Sequence, residues 1–244
     1  MKYYLSGKIQ PMIFDFKTHL NNFLDLLIPR GCLCCHRKLL VEEKYLCIGC
    51  MSRLPISNDW EIPQNNLKDT LEELIPVESA AALLAYESAS KYHHILHALK
   101  YHNQPQVGIF FGNMFGRLIT QHKILADADY ICPIPLHPKK EKKRGYNQSA
   151  YLAKGVAEYT SVAFNDSNLI RRVNTQTQTK MDFEERQENM KGVFHCVNPQ
   201  LFQDKHIILI DDVITTGATI KSCTYTILPQ CNARISVLCL SRIL

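Results

Sequence analysis

Residues 206–219, read as HIILIDDVITTGAT, constrain this chain more than any other stretch. The continuous apolar run from Ile207 to Ile210 is the pattern of a strand buried on both faces of a parallel sheet. Asp211 and Asp212 follow at once. After them comes a short run of small, hydroxylated residues around one glycine: Thr215, Thr216, Gly217, Ala218 and Thr219. The pattern from Thr219 to Leu228 predicts a helix. A strand of this kind delivers its loop to the carboxyl edge of the sheet, where open α/β folds bind ligands. A loop built of Thr and Gly turns tightly and aims several backbone N–H groups at one point, and the helix behind it adds its positive dipole end. Those groups suit a phosphate monoester. The two carboxylates repel phosphate and suit a neighbouring polyol instead, accepting hydrogen bonds from two hydroxyls. A sugar phosphate satisfies both halves. The same string also fits a buried strand followed by a helix capped by Asp212 or Thr216. No P-loop and no dinucleotide-binding glycine fingerprint competes with it.

The remaining pattern agrees with an α/β domain. Leu83 to Tyr86, Tyr130 to Ile134, Ser161 to Phe164 and Arg234 to Leu240 read as strands. Tyr92 to Tyr101, Val107 to Thr120 and Asn147 to Tyr159 read as helices. Strands alternating with helices predict a parallel sheet. With 244 residues, 46% hydrophobic and 21% charged, the chain can bury an ordinary globular core. The net charge of +5 favours polyanions without diagnosing nucleic acid. No apolar run is long enough for a membrane span. Asp15, Lys17, His19 and Asp25 interrupt the N-terminal apolar residues, so no signal peptide is expected and the chain is read as cytoplasmic. Ile13, Phe16, Leu20, Phe23, Leu24 and Leu27 predict an N-terminal helix over Ile13 to Ile28, stopped by Pro29 and Gly31.

IILIDDVITTGAT closely resembles the signature of the type I phosphoribosyltransferases: an apolar strand, two acids, two variable residues, then a Thr-Gly loop. The resemblance implies that Asp211 and Asp212 are the catalytic pair and act by holding the ribose 2′- and 3′-hydroxyls. It implies that residues Thr215, Thr216, Gly217, Ala218 and Thr219 hold the 5′-phosphate.

A second segment, CPIPLHPKKEKKRGYNQS, runs from Cys132 to Ser149 and contains Lys139, Lys140, Lys142, Lys143 and Arg144. By itself such a charge run is ordinarily a solvated surface. As a whole it resembles the ComF group, proteins related to bacterial competence factors, through Pro133, Pro135, Leu136, His137, Pro138, Arg144, Gly145, Asn147 and Gln148. By position it corresponds to the loop that receives diphosphate in type I enzymes, which marks His137, Lys139, Arg144 and Asn147. A third segment, Arg171 to Phe194, fits the same group through Arg172, Thr175, Gln178, Arg186, Asn189, Gly192 and Phe194. Type I enzymes use a mobile loop in this region to cover the ligand; Lys180 and Arg186 are the candidates to close over phosphate. HALKYHN, His97 to Asn103, is a weaker piece of the resemblance, and Lys100 and Tyr101 carry it without an assigned role.

The chain has ten cysteines, five of them between Cys32 and Cys50. Cys32-x-x-Cys35 and Cys47-x-x-Cys50 supply four thiolates at the spacing of a tetrahedral structural Zn²⁺ site. Four thiolates leave no open coordination position. Cys34 is a spare that leaves the register open, and reduced cysteines without metal are the other reading. ComF-type proteins often carry an N-terminal zinc ribbon. The expected division is therefore residues 1–57 as an N-terminal helix and four-cysteine zinc-ribbon module, 58–80 as a linker, and 81–244 as a type I phosphoribosyltransferase-like α/β domain, a parallel sheet flanked by helices.

The resemblance implies a site for 5-phosphoribosyl 1-diphosphate with Mg²⁺, or for a nucleotide, and a role in competence and DNA uptake. Two activities fit it. One is transfer of a phosphoribosyl group to an acceptor, with Leu74 to Thr120 as the segment able to form a hood over it. The other is a non-catalytic accessory factor binding nucleotide or single-stranded DNA in natural transformation, working beside a competence helicase or another DNA-processing partner. A site kept only as a regulatory sensor is a third use of the same residues.

Overall fold

The structure is a computed structural model that describes residues 30–101, 103–122, 127–172 and 192–244. The expected helix over Ile13 to Ile28 lies outside the described residues, as do Lys180 and Arg186. The chain divides into two compact units, residues 1–52 and 53–244.

The described part of the first unit is tied by short-range bonds around the buried Cys32, Leu39, Leu46, Cys47 and Cys50. Gly31 and Lys38 form an antiparallel bridge. Leu33 N–H donates to the Tyr45 carbonyl (2.9 Å), and His36 N–H to the Cys32 carbonyl (2.9 Å). One helical turn, α1 (Ile48–Met51), begins after Cys47 and carries Cys50.

The second unit is a parallel sheet flanked by helices. Its strands are β1 (Ala80–Tyr86), β2 (Tyr130–Pro133), β3 (Ala163–Phe164), β6 (His206–Ile214) and β7 (Arg234–Ile243). Their order is β1-β7-β6-β2-β3, and every neighbouring pair is parallel. Two further strands, β4 (Leu169–Arg171) and β5 (Phe194–Cys196), pair antiparallel in a separate ribbon. The helices are α2 (Asn66–Glu72), α3 (His93–Tyr101), α4 (Pro105–His122), α5 (Pro138–Arg144), α6 (Gln148–Thr160) and α7 (Ala218–Ile227). Ile207 to Ile210 are wholly buried, as an apolar run in a central parallel strand should be. Helices α4 and α6 pack backbone against backbone: a Cβ on Gly112 would lie 2.3 Å from the Leu152 carbonyl oxygen, so only glycine fits there.

Two expectations are corrected. Residues 58–80, read as a linker, fold with the sheet. Their organiser is Asn65. Its side-chain N–H groups donate to the carbonyls of Asp59, Ile62 and Ala80, while its oxygen caps α2 by accepting from Leu67 N–H and Lys68 N–H. Leu67, Leu71 and Ile75 then enter the core. Even Pro55 to Ser57 belong to this unit, because they line the outer edge of β1: Ser57 N–H donates to the Leu83 carbonyl (2.9 Å), and Ala85 N–H to the Pro55 carbonyl (3.0 Å). Secondly, the basic run is a helix, α5, rather than a loop. His137 caps it, Pro138 begins it, and Gly145 ends it at φ +89°.

No helix among the described residues is long and apolar enough to cross a membrane.

Candidate functional site

Strand β6 does not stop at the acids. It runs on to Ile214, and Asp211 still pairs with Cys239 of β7. On the other side, however, β2 ends at Pro133, opposite Ile210. Beyond Ile210 the strand pairs with a neighbouring strand on one side only among the described residues. Consecutive strand residues point to opposite faces, so one ligand can reach both acids only at such a free margin.

The opening of α6 fills that margin. Asn147 fixes it by accepting from Ser149 N–H (3.1 Å) and donating to the Ile134 carbonyl (3.0 Å). Gln148 Nε2 then donates to Asp212 Oδ2 (2.8 Å), and Ser149 Oγ to Asp211 Oδ1 (3.1 Å). Asp212 N–H also donates to Asp211 Oδ1 (2.8 Å). From α3, Lys100 Nζ lies 3.4 Å from Asp212 Oδ1. Burial, followed by the charge of Asp212, pushes the Asp211 carboxyl up to about 7. Two adjacent acids out of bulk water resist ionising together.

The Thr-Gly loop leaves the strand immediately afterwards. Gly217 sits at φ +69° as the N-cap of α7, with no side-chain cap. The N–H groups of residues 215–220 donate to no acceptor among the described residues. They are the free donors expected at a helix start.

The expected diphosphate residues separate into two kinds. His137 and Asn147 are helix caps: His137 Nδ1 accepts from Lys139 N–H (3.2 Å) at the start of α5. Lys139 is exposed. Arg144 lies with its guanidinium 5.7 Å from the centroid of the Tyr101 ring. Lys140 has its ammonium pulled down by burial, then by the charges of Arg171 and Arg144. Burial likewise lowers Arg171, whereas Cys223 and Asp211 raise it. Arg171 thus lies within electrostatic reach of both the basic helix and the acid pair. Sequence reasoning missed Gln148, Ser149, Lys100 and Arg171 as partners of the site. Gln148 and Lys100 stood inside family-like strings but carried no readable role, because their partner is far along the chain.

In the first unit the sulfurs of Cys32, Cys35, Cys47 and Cys50 all lie within 4.8 Å of one another. Cys35 Sγ and Cys47 Sγ are 3.7 Å apart. Tetrahedral Zn–S bonds of about 2.3 Å place sulfurs about 3.8 Å apart, so the four residues fit a zinc ion. Cys47 N–H points at Cys32 Sγ (3.4 Å). Cys34 is buried but stands outside the group of four.

No protein-family model matches the chain. The DNA utilization protein YhgH of Salmonella typhi is 28% identical over 157 residues, 62% of this chain and 66% of that protein, just under two thirds of its length. Competence protein F of Haemophilus influenzae is 35% identical over 93 residues, 37% of this chain and 40% of that protein. Competence protein ComFC of Bacillus subtilis is 27% identical over 203 residues, 81% and 78% of the two chains. Among solved structures, the glutamine phosphoribosylpyrophosphate amidotransferase from B. subtilis, complexed with ADP and GMP, aligns at a TM-score of 0.41 and 18% identity, covering 59% of this chain and 30% of that one. The chain is a homologue of proteins named for competence and DNA utilization, in keeping with the ComF resemblance of its motifs.

Proposed function

We propose that the margin of β6 binds a 5-phosphorylated ribose, as 5-phosphoribosyl 1-diphosphate with Mg²⁺ or as a nucleotide, in a protein serving competence and DNA uptake. The observation that carries this is a juxtaposition. Two hydrogen-bonded carboxylates, Asp211 and Asp212, stand directly before a turn whose N–H groups have no acceptor among the described residues. The acids accept the ribose hydroxyls, and the N–H groups of residues 215–220 take the 5′-phosphate with Thr215, Thr216 and Thr219 as added donors. A diphosphate on the anomeric carbon would face Lys140, Arg144 and Arg171. Mg²⁺ would arrive on its oxygens and neutralise the departing charge. Where an acceptor is bound, the protein positions and neutralises, and no nucleophilic side chain is needed.

Calorimetric titration of 5-phosphoribosyl 1-diphosphate with Mg²⁺ tests this. Micromolar binding by the wild type, lost in Asp211→Ala with Asp212→Ala, is the expected result. Absence of binding to the wild type would sink the reading.

A single-stranded DNA surface is the second reading, favoured by the exposed helix α5 and by Tyr101. Tyr101 is 66% exposed, and its ring borders both Arg144 and His97, the latter at 4.8 Å between ring centroids. Bases stack on such rings beside cations. DNA affinity that falls with salt, and is lost on neutralising Lys139 to Arg144, is the outcome that supports it; indifference to salt would reject it.

A further inference from the structure

We propose that Lys100 is the built-in counter-ion of the acid pair and keeps a divalent cation out of it. This deepens the sugar-phosphate reading: the pair takes hydroxyls, and the metal stays with the ligand's phosphates.

Lys100 is not a loose surface lysine. It stands in the last turn of α3, one residue before its end, and three consecutive residues there are tied to three partners. The Leu99 carbonyl accepts from the Tyr146 hydroxyl. Lys100 pairs with Asp212, the two side chains being 22% and 6% exposed. Tyr101 lies beside Arg144. The ammonium is therefore held at the acids by packing on both sides of it along the chain.

One oxygen of Asp212 already accepts from Gln148, and the other is ion-paired with the Lys100 ammonium. A divalent cation entering the pair must take a carboxylate oxygen from its donor and then sit against a fixed positive charge. Mg²⁺ also demands a near-octahedral oxygen shell at about 2.0–2.1 Å. A hydroxyl makes neither demand, since a carboxylate oxygen can accept from a second donor. Gln148 Oε1 is buried with no hydrogen-bond partner among the described residues. That acceptor would suit a hydroxyl or a metal ion alike; the charge of Lys100 decides between them. Two carboxylates and one ammonium leave at most one net negative charge. Burial and the neighbouring Asp212 raise the Asp211 carboxyl, which reduces that charge further near neutral pH.

The test uses the full chain purified with zinc. Mn²⁺ binding is followed by electron paramagnetic resonance, and ribose 5-phosphate binding by calorimetry. The proteins are the wild type, Lys100→Met, Lys100→Arg and Lys100→Met with Asp212→Asn, with Lys100→Gln in reserve should Lys100→Met not fold. The wild type should leave Mn²⁺ largely free. Lys100→Met should bind one further Mn²⁺ at least about tenfold more tightly. Lys100→Arg should behave as wild type, and adding Asp212→Asn should abolish the gain. A partly unfolded variant would not acquire a site that one further substitution removes. Equal Mn²⁺ affinity in wild type and Lys100→Met overturns the proposal. Failure of the wild type to bind ribose 5-phosphate while the Mn²⁺ gain persists refutes the sugar-phosphate reading and upholds the counter-ion.

Discussion

Gln148 donates its side-chain amide to Asp212 at 2.8 Å across 64 positions of sequence. It is the first residue of a helix reaching the margin of a strand, and the other end of its own amide has no partner among the described residues. Replacing it should therefore hurt both folding and binding. Gln148→Leu removes an intramolecular hydrogen bond to a charged acceptor, worth about 1.5–3 kcal/mol of stability, so Tm should fall by several degrees. Ribose 5-phosphate affinity measured by calorimetry below that Tm should fall as well, because the acid it holds in place loses its donor.

Asp211 makes stability and binding respond to pH in opposite directions. Its carboxyl is pushed up to about 7, first by burial and then by Asp212, while an unfolded Asp titrates at about 3.9. Between those values the folded chain holds the extra proton, so stability falls as pH rises from about 4 to about 7 and levels off above. Asp211→Asn should flatten that slope and stabilise the protein at pH 7 by on the order of 2 kcal/mol, or several degrees in Tm. Wild-type ribose 5-phosphate affinity should rise as pH passes through about 7, where the folded carboxyl ionises. Denaturant melts and calorimetry at a series of pH values check both signs.

The cysteines make a sharp prediction about register. One zinc per chain is expected by elemental analysis. Cys34→Ser should keep it, because Cys34 stands outside the four sulfurs. Cys35→Ser or Cys50→Ser should release it and unfold the first unit, whose described part rests on local bonds. A dye assay for released zinc separates the cases.

His137 distinguishes a cap from a ligand. Its ring accepts from Lys139 N–H at the start of α5. His137→Ala should cost about 0.5–1 kcal/mol, and His137→Asn, which keeps a capping oxygen, much less. Were the imidazole a diphosphate ligand, both variants would lose 5-phosphoribosyl 1-diphosphate affinity alike.

Gly217 should tolerate no side chain. At φ +69° an L-residue costs about 1–2 kcal/mol, and the added Cβ would lie 3.0 Å from both Leu71 Cδ2 and Leu74 Cδ1. Gly217→Ala should lower Tm by a few degrees. Ribose 5-phosphate should bind more weakly to it, with free ribose as the control.

What could be read from the sequence was what is local. Ile207 to Thr219 carries its own strand pattern, acids and turn, although the strand runs through the acids to Ile214 instead of ending at Ile210. Cys32, Cys35, Cys47 and Cys50 likewise need only their spacing. Gln148, Ser149 and Lys100 were not legible, because each acts on a carboxylate from another element and no periodicity encodes that meeting. The run Pro138 to Arg144 reads as a loop because its like charges hide a helix whose evidence is its ends, His137 with Pro138 and then Gly145. Residues 58–80 read as a linker because one Asn65 side chain supplies the bonds that a regular element would show as pattern.

Strand β6 outruns β2, and among the described residues its end pairs with a strand on one flank only. The sheet is left unfinished beside the acid pair. The piece that completes it, the first turn of α6, owes nothing to the ladder of β6 and β7. Changes at that turn can retune what the acids hold while the buried strand stays as it is. Ligand preference and fold integrity thus reside in segments that can vary independently.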